Sequence, residues 1–115
     1  MYNIYIYEKN NKGKSLEDIK SFPVEAKREA GHQLDKIQRG QDPLDWKPMQ
    51  SIGPNVREIR IRISEGIFRV IYLAKFEEAI YVLHAFQKKT EATSNPDRDI
   101  ARRAYKKLLE ERNHG

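Results

Sequence analysis

Apolar and polar positions alternate most regularly between Val56 and Thr90. The runs V-R-E-I-R-I-R-I, I-F-R-V-I-Y-L-A and A-I-Y-V-L-H-A-F-Q-K-K-T are rich in Ile, Val, Tyr and Phe, and short polar breaks separate them. This pattern predicts three consecutive antiparallel strands. A two-residue turn at Glu65-Gly66, with Ser64 opposite Ile67, pairs Arg62 with Arg69, Arg60 with Ile71 and Glu58 with Leu73. It leaves Ile59, Ile61, Ile63, Phe68, Val70 and Tyr72 on a face without charge, and a slip of one residue would mix the two sets. A second turn at Phe76-Glu77, with Lys75 opposite Glu78, places Arg69 opposite His84 and adds Tyr81, Leu83 and Ala85 to the apolar side. One face then collects Glu58, Arg60, Arg62, Arg69, His84 and Lys88. Burying unpaired charges is costly, so this face is expected to be open, concave and basic, with the other face a floor for helices.

The flanking segments supply those helices. Residues 1–8 read as a further strand, and residues 10–14, with Gly13, as a turn. Ser15 is a candidate N-cap with Asp18 three residues on, and Leu16, Ile19 and Phe22 follow at helical spacing. Pro23 interrupts this short helix and starts a longer one to Arg39. Its apolar stripe is Val24, Ala30, Leu34 and Ile37, and Gly40 ends it. Residues 40–55 contain three prolines and two glycines and read as a long loop. In it, Trp46 and Met49 either peg the loop to the core, or Trp46 joins Lys47 in flanking a substrate groove. Asn95-Pro96 opens the last helix, with Asp97 and Asp99 at the positive end of its dipole. Ile100, Ala104 and Leu108 form its stripe, widened by Tyr105 and Leu109. The predicted class is α+β. A single domain over 1–115 has an N-terminal helical hairpin packed on a mostly antiparallel twisted sheet, followed by a C-terminal helix.

Length and charge narrow the picture. The 115 residues suit one domain, and 22 Lys plus Arg against 17 Asp plus Glu give a net charge of +5. That excess points toward an anionic partner such as nucleic acid. The chain has no cysteine, which excludes disulfides and thiolate metal sites. No apolar run approaches the roughly 20 residues of a membrane span, and the N-terminus lacks the layout of a signal peptide. A soluble cytoplasmic protein with no membrane partner is the expectation.

The candidate chemistry lies on the basic face. His32, His84 and His114 are scattered without carboxylates at ligand spacing, so no metal site is expected. No P-loop or dinucleotide fingerprint is present, and no cofactor is expected. A cluster of Arg and Lys with one His and one Glu suits RNA cleavage without a metal. The 2′-hydroxyl attacks the adjacent phosphate, a base takes its proton, an acid protonates the leaving 5′-oxygen, and cations stabilise the transition state. DNA lacks the 2′-hydroxyl and is closed to this route. Arg60, Arg69 and Lys88 are the candidate phosphate clamp. His84 or Glu58, or a lysine with a lowered pKa, would move protons. The plainer alternative is that Glu58 pairs with an arginine and His84 is a satisfied core histidine. Lys47, Arg57, Arg62 and Lys89 are candidate RNA contacts.

R-E-I-R-I (57–61), F-R-V-I-Y (68–72) and V-L-H-A-F-Q-K-K-T (82–90) together resemble the RelE superfamily of bacterial toxins. The similarity is greatest to its HigB-type, phage-derived branch, where E-L-R, Y-R-V and L-H-x-F-x-K-K-T strands recur in this order. D-W-K-P-M (45–49) with Gly53, and D-I-A-R-R-A-Y (99–105), extend the resemblance from Leu16 to Arg112. Ile59 stands where the branch usually has leucine, Phe68 where it has tyrosine, and E-A-T-S-N-P follows Thr90. The resemblance implies a RelE-like toxin domain of a type II toxin–antitoxin system. It also implies a ribosome-dependent mRNA endonuclease (an mRNA interferase) that inhibits translation and is silenced by a cognate helix-turn-helix antitoxin. By motif match, Arg60, Arg69, Lys88 and Lys89 take the positions of the family's basic residues. Two other readings remain. One is an RNA- or ribosome-binding protein that does not cut; the other is an inactive toxin acting as its antitoxin's co-repressor.

Overall fold

The computed structural model describes residues 3–6, 19–74, 79–88 and 93–114. Five strands and two helices follow in the order β1 (Asn3–Ile6), α1 (Val24–Gln38), β2 (Trp46–Pro48), β3 (Val56–Ile63), β4 (Gly66–Leu73), β5 (Ala79–Gln87) and α2 (Asn95–His114). They form one sheet in the order β1-β5-β4-β3-β2. β1 runs parallel to β5, and the other three pairings are antiparallel. The α+β class and the C-terminal helix agree with the sequence reading. The expected turn at 10–14, Ser15, Leu16, the turn at Phe76-Glu77 and Lys89 lie outside the described residues. Of the first arm of the helical hairpin, residues 19 and 20 are helical.

Pro23, with φ preset near −60°, sits at the N-cap of α1. Gly40, at φ +80, closes the helix: its N–H reaches the Ile37 carbonyl and the Gln41 N–H reaches that of Lys36. Only a residue without Cβ takes this left-handed position freely, and the two bonds satisfy the last carbonyls. The buried stripe is Ala26, Ala30, Leu34 and Ile37, at helical spacing. Val24, expected in it, lies two residues from Ala26 and so on the far side of the helix, 64% exposed.

Two registers differ from expectation. Ile63 pairs with Gly66, so Ser64-Glu65 is the turn. Among the described residues other than glycine only Asn55 has a positive φ, and the left-handed conformation falls on Gly66 (φ +137), just beyond the turn. A mirror-image turn centred on Glu65-Gly66 would have forced Glu65 into that region. Arg60 therefore lies opposite Arg69, Arg62 opposite Ile67 and Glu58 opposite Ile71. Each face keeps its residues, because pairing moved by an even step. On the next strand Arg69 faces Phe86, and His84 faces Ile71. A bulge then intervenes, with Tyr72 opposite Val82 and Leu73 opposite Tyr81, so Leu83 is the extra residue. It moves Leu83 and Tyr81 off the expected apolar face and onto the opposite one; Ala85 stays.

Both faces of the sheet are covered. The α1 stripe packs on Ile59, Ile61, Phe68, Val70, Tyr72, Ile80 and Val82. Ala101, Ala104 and Leu108 of α2 pack on Ile71, Leu73 and Leu83 of the other face, joined by Met49, Ile52 and Val56. Ala101 replaces the expected Ile100 in the stripe, and Ile100 is half-buried. α2 thus covers the apolar end of the basic face. The long loop is also broken: β2 pairs with β3 at its centre, and Gln33 holds the connection by accepting the Leu44 N–H at 2.7 Å.

Candidate functional site

Pairing along the α2-side face sets the site out in rows. Lys47, Glu58, Ile71 and His84 form one row across β2, β3, β4 and β5. Arg60, Arg69 and Phe86 form the next, and the Arg60 N–H donates to the Asp45 carbonyl at 2.8 Å, which brings Asp45 alongside. Arg62 and Ile67 begin the third, where the Lys88 N–H donates to the Ile67 carbonyl at 2.7 Å.

Glu58 is the centre, fully buried. Its Oε1 accepts from the Arg69 guanidinium. The Thr93 hydroxyl donates to Oε2 at 2.7 Å, and Arg69 Nη1 donates to Thr93 Oγ1 at 3.3 Å. Two charges out of water are tolerable only when paired and further hydrogen-bonded, and Thr93 supplies that closure. Arg69, expected on an accessible face, has a side chain only 2% exposed. The reason is its position at the edge of the α2 core, where Glu58 on the neighbouring strand neutralises it.

Lys47 reaches the same carboxylate from the open side, with Nζ 3.8 Å from Glu58 Oε1 and the side chain 35% exposed. Its pKa is held below the usual lysine value. Partial burial is the main cause, and the positive fields of Arg69, Arg60 and Lys88 add to it; Glu58 acts the other way. Two cations thus meet one carboxylate, Arg69 from the buried side and Lys47 from the open side, and the fields of Arg60 and Lys88 reach Lys47 as well.

The remaining predicted residues separate. Asp45 takes Arg60 on Oδ1 (2.9 Å) and Arg62 on Oδ2 (3.4 Å). Arg57 points to the α1 side, where its guanidinium stacks on Trp46 at 4.0 Å and pairs with Asp42 at 3.2 Å. Trp46 and Lys47, being adjacent in a strand, face opposite ways, so they do not flank one groove. Met49 is buried and anchors the loop. His84 is buried, two strands from Glu58, with Nε2 2.8 Å from Asp97 Oδ1 and its ring stacked on Phe86. Ser94 Oγ accepts the Asp97 N–H and donates to Asp97 Oδ2, so Ser94 caps α2 and Asp97 links that cap to His84. This is the satisfied-histidine alternative.

Sequence reasoning missed Thr93 and Asp45. Thr93 lies in a polar connection 35 residues from Glu58 and carries no motif. The one available signal was that a mid-strand arginine beside Ile71 and Leu73 needs a partner. Among the described residues no three His, Cys, Asp or Glu side chains gather as metal ligands would, and no helix is long and apolar enough to cross a membrane.

The chain is thus a small α+β domain in which Arg69 and Lys47 flank one buried carboxylate of the sheet. The family model described as phage-derived protein Gp49-like (DUF891) matches residues 17–106. The chain belongs to this family, which is part of the RelE/Gp49 toxin-like group. No curated protein matches it.

Proposed function

We propose that this protein is the toxin of a type II toxin–antitoxin system, of the RelE-like HigB type. In this reading it cleaves mRNA on the ribosome in the cytoplasm and is silenced by a helix-turn-helix antitoxin. The observation that carries the chemistry is Lys47: a half-exposed lysine with a lowered pKa, among Arg60, Arg69 and Lys88. Neutral Lys47 takes the proton of the 2′-hydroxyl. The 2′-oxygen bonds to phosphorus, the bond to the 5′-oxygen breaks, and the Lys88 ammonium protonates the leaving oxygen. The products are a 2′,3′-cyclic phosphate and a 5′-hydroxyl. Arg60, and Lys89 in the family pattern, stabilise the pentavalent phosphate, while Arg62 binds the strand. Arg69 and Glu58 position Lys47 and set its field from below. The burial of Glu58 and His84 favours Lys47 over either as the group that meets substrate.

The test is induced expression with mapping of mRNA 5′-ends. Translated messages should be cut and untranslated ones spared, and Lys47→Met should abolish both cutting and growth arrest. Intact messages alongside arrested growth would reject cleavage and leave a non-catalytic ribosome-binding protein. Burial of the Glu58–Arg69 pair favours that second reading, since it takes one of the three cations expected from the sequence to clamp phosphate out of reach of substrate. A neighbouring reading frame for a helix-turn-helix protein would support the antitoxin, and also the co-repressor role.

A further inference from the structure

Asp45 has no part in the mechanism above, yet it sits between two part-exposed arginines of this face. Each of its carboxylate oxygens faces one arginine: Oδ1 accepts from Arg60 Nε at 3.1 Å and Nη2 at 2.9 Å, and Oδ2 from Arg62 Nε at 3.4 Å. Arg60 and Arg62 project from the same side of β3, two residues apart, so a single bridging anion relieves their mutual repulsion. A phosphodiester offers the same pair of acceptor oxygens and the same single charge as a carboxylate, and guanidinium forks bind both in the same geometry. All three side chains are part-exposed, at 34% for Asp45, 28% for Arg60 and 63% for Arg62. An ion pair this accessible holds only weakly and can be exchanged. The Glu58–Arg69 pair, walled in by Thr93, cannot.

The geometry points to Asp45 as an internal stand-in for a backbone phosphate of the RNA, displaced when the strand binds. This rests on the RNA-binding part of the proposed function and adds a regulated subsite to it. Free protein keeps its two outermost arginines neutralised in part, which weakens capture of arbitrary anions. RNA must outcompete a tethered carboxylate to engage Arg60. The backbone bond from the Arg60 N–H to the Asp45 carbonyl is independent of the side chain, so replacing the carboxylate leaves the β2–β3 junction in place.

The experiment measures binding of a short single-stranded RNA, 2′-O-methylated so that it cannot be cut, to wild type, Asp45→Asn and Asp42→Asn. Asp42 also pairs with an exposed arginine, but on the opposite face, so it removes the same charge at a neutral location. Asp45→Asn should bind about tenfold more tightly and Asp42→Asn within about twofold of wild type, because screening confines the effect to nearby charges. Adding Arg62→Ala to Asp45→Asn should erase the gain. Equal effects of the two aspartate variants, or weaker binding by Asp45→Asn, would overturn the proposal and leave Asp45 a mere spacer of the arginines. Inorganic phosphate bound as tightly as the RNA would also overturn it, by reassigning the pair to the free anion. Because the probe is uncleavable, tighter binding by Asp45→Asn without any cleavage of natural RNA would sustain this inference while rejecting the nuclease.

Discussion

Replacing Arg69 with alanine separates a buried structural pair from an exposed phosphate clamp. In the folded protein Glu58 is fully buried, and its Oε1 is neutralised mainly by Arg69. After Arg69→Ala, Glu58 keeps the Thr93 hydroxyl at 2.7 Å and the more distant Lys47 at 3.8 Å. Removing one partner of a buried pair costs about 3–5 kcal/mol, because the other charge is left uncompensated in a poor solvent. Lys47 can swing toward Glu58, so the lower end, about 3 kcal/mol, is expected. For a domain of this size that lowers Tm by about 15 °C. Urea unfolding followed by far-ultraviolet circular dichroism measures the loss directly. Replacing both partners, with Glu58→Leu and Arg69→Met, should restore most of it, since an apolar pair of similar volume needs no neutralisation. A loss below about 1 kcal/mol for Arg69→Ala, the size of an exposed pair, would refute this account. It would return Arg69 to direct contact with phosphate.

Four further outcomes follow from the same geometry. Cleavage should rise with pH as Lys47 loses its proton, with the midpoint of the rise below 10.5, the ordinary lysine value, because the folded pKa is lowered; a profile flat across neutral and alkaline pH in single-turnover assays would remove Lys47 as base. Affinity for RNA should fall steeply with salt, since phosphate contacts release counterions, and filter binding at several salt concentrations reads the slope. Gly53→Ala should destabilise by about 1–3 kcal/mol, because a Cβ there would overlap the Tyr105 ring of α2; partial recovery on adding Tyr105→Leu in thermal melts confirms the clash. Ser94→Ala should cost about 1 kcal/mol in the same melts by removing the cap of α2.

Much of the fold follows from local pattern. The strands at Val56–Ile63 and Gly66–Leu73, and the assignment of Ile59, Ile61, Phe68, Val70 and Tyr72 to the α1 floor, need only period-two alternation. Pro23 and Gly40 bracket α1 by backbone sterics alone. The matched family likewise rests on residues 17–106 as a string. Alternation is blind, however, to a pairing shift of an even step, which leaves every face unchanged. The turn's φ angles decided that Arg60, not Arg62, stands opposite Arg69. A bulge at Leu83 could not be read either, because it arises where β5 must serve cores on both faces. The sharpest divergence is the basic face itself. Its run Arg69, Ile71, Leu73 passes from charged to apolar within one strand, and α2 folds back to cover the apolar end. That long-range packing buries Arg69 with Glu58, brings Thr93 across to complete the pair, and leaves Lys47 and Arg60 at the open edge. Residue types and faces are properties of neighbours along the chain; burial, and with it the difference between a clamp and a strut, depends on which distant element covers them.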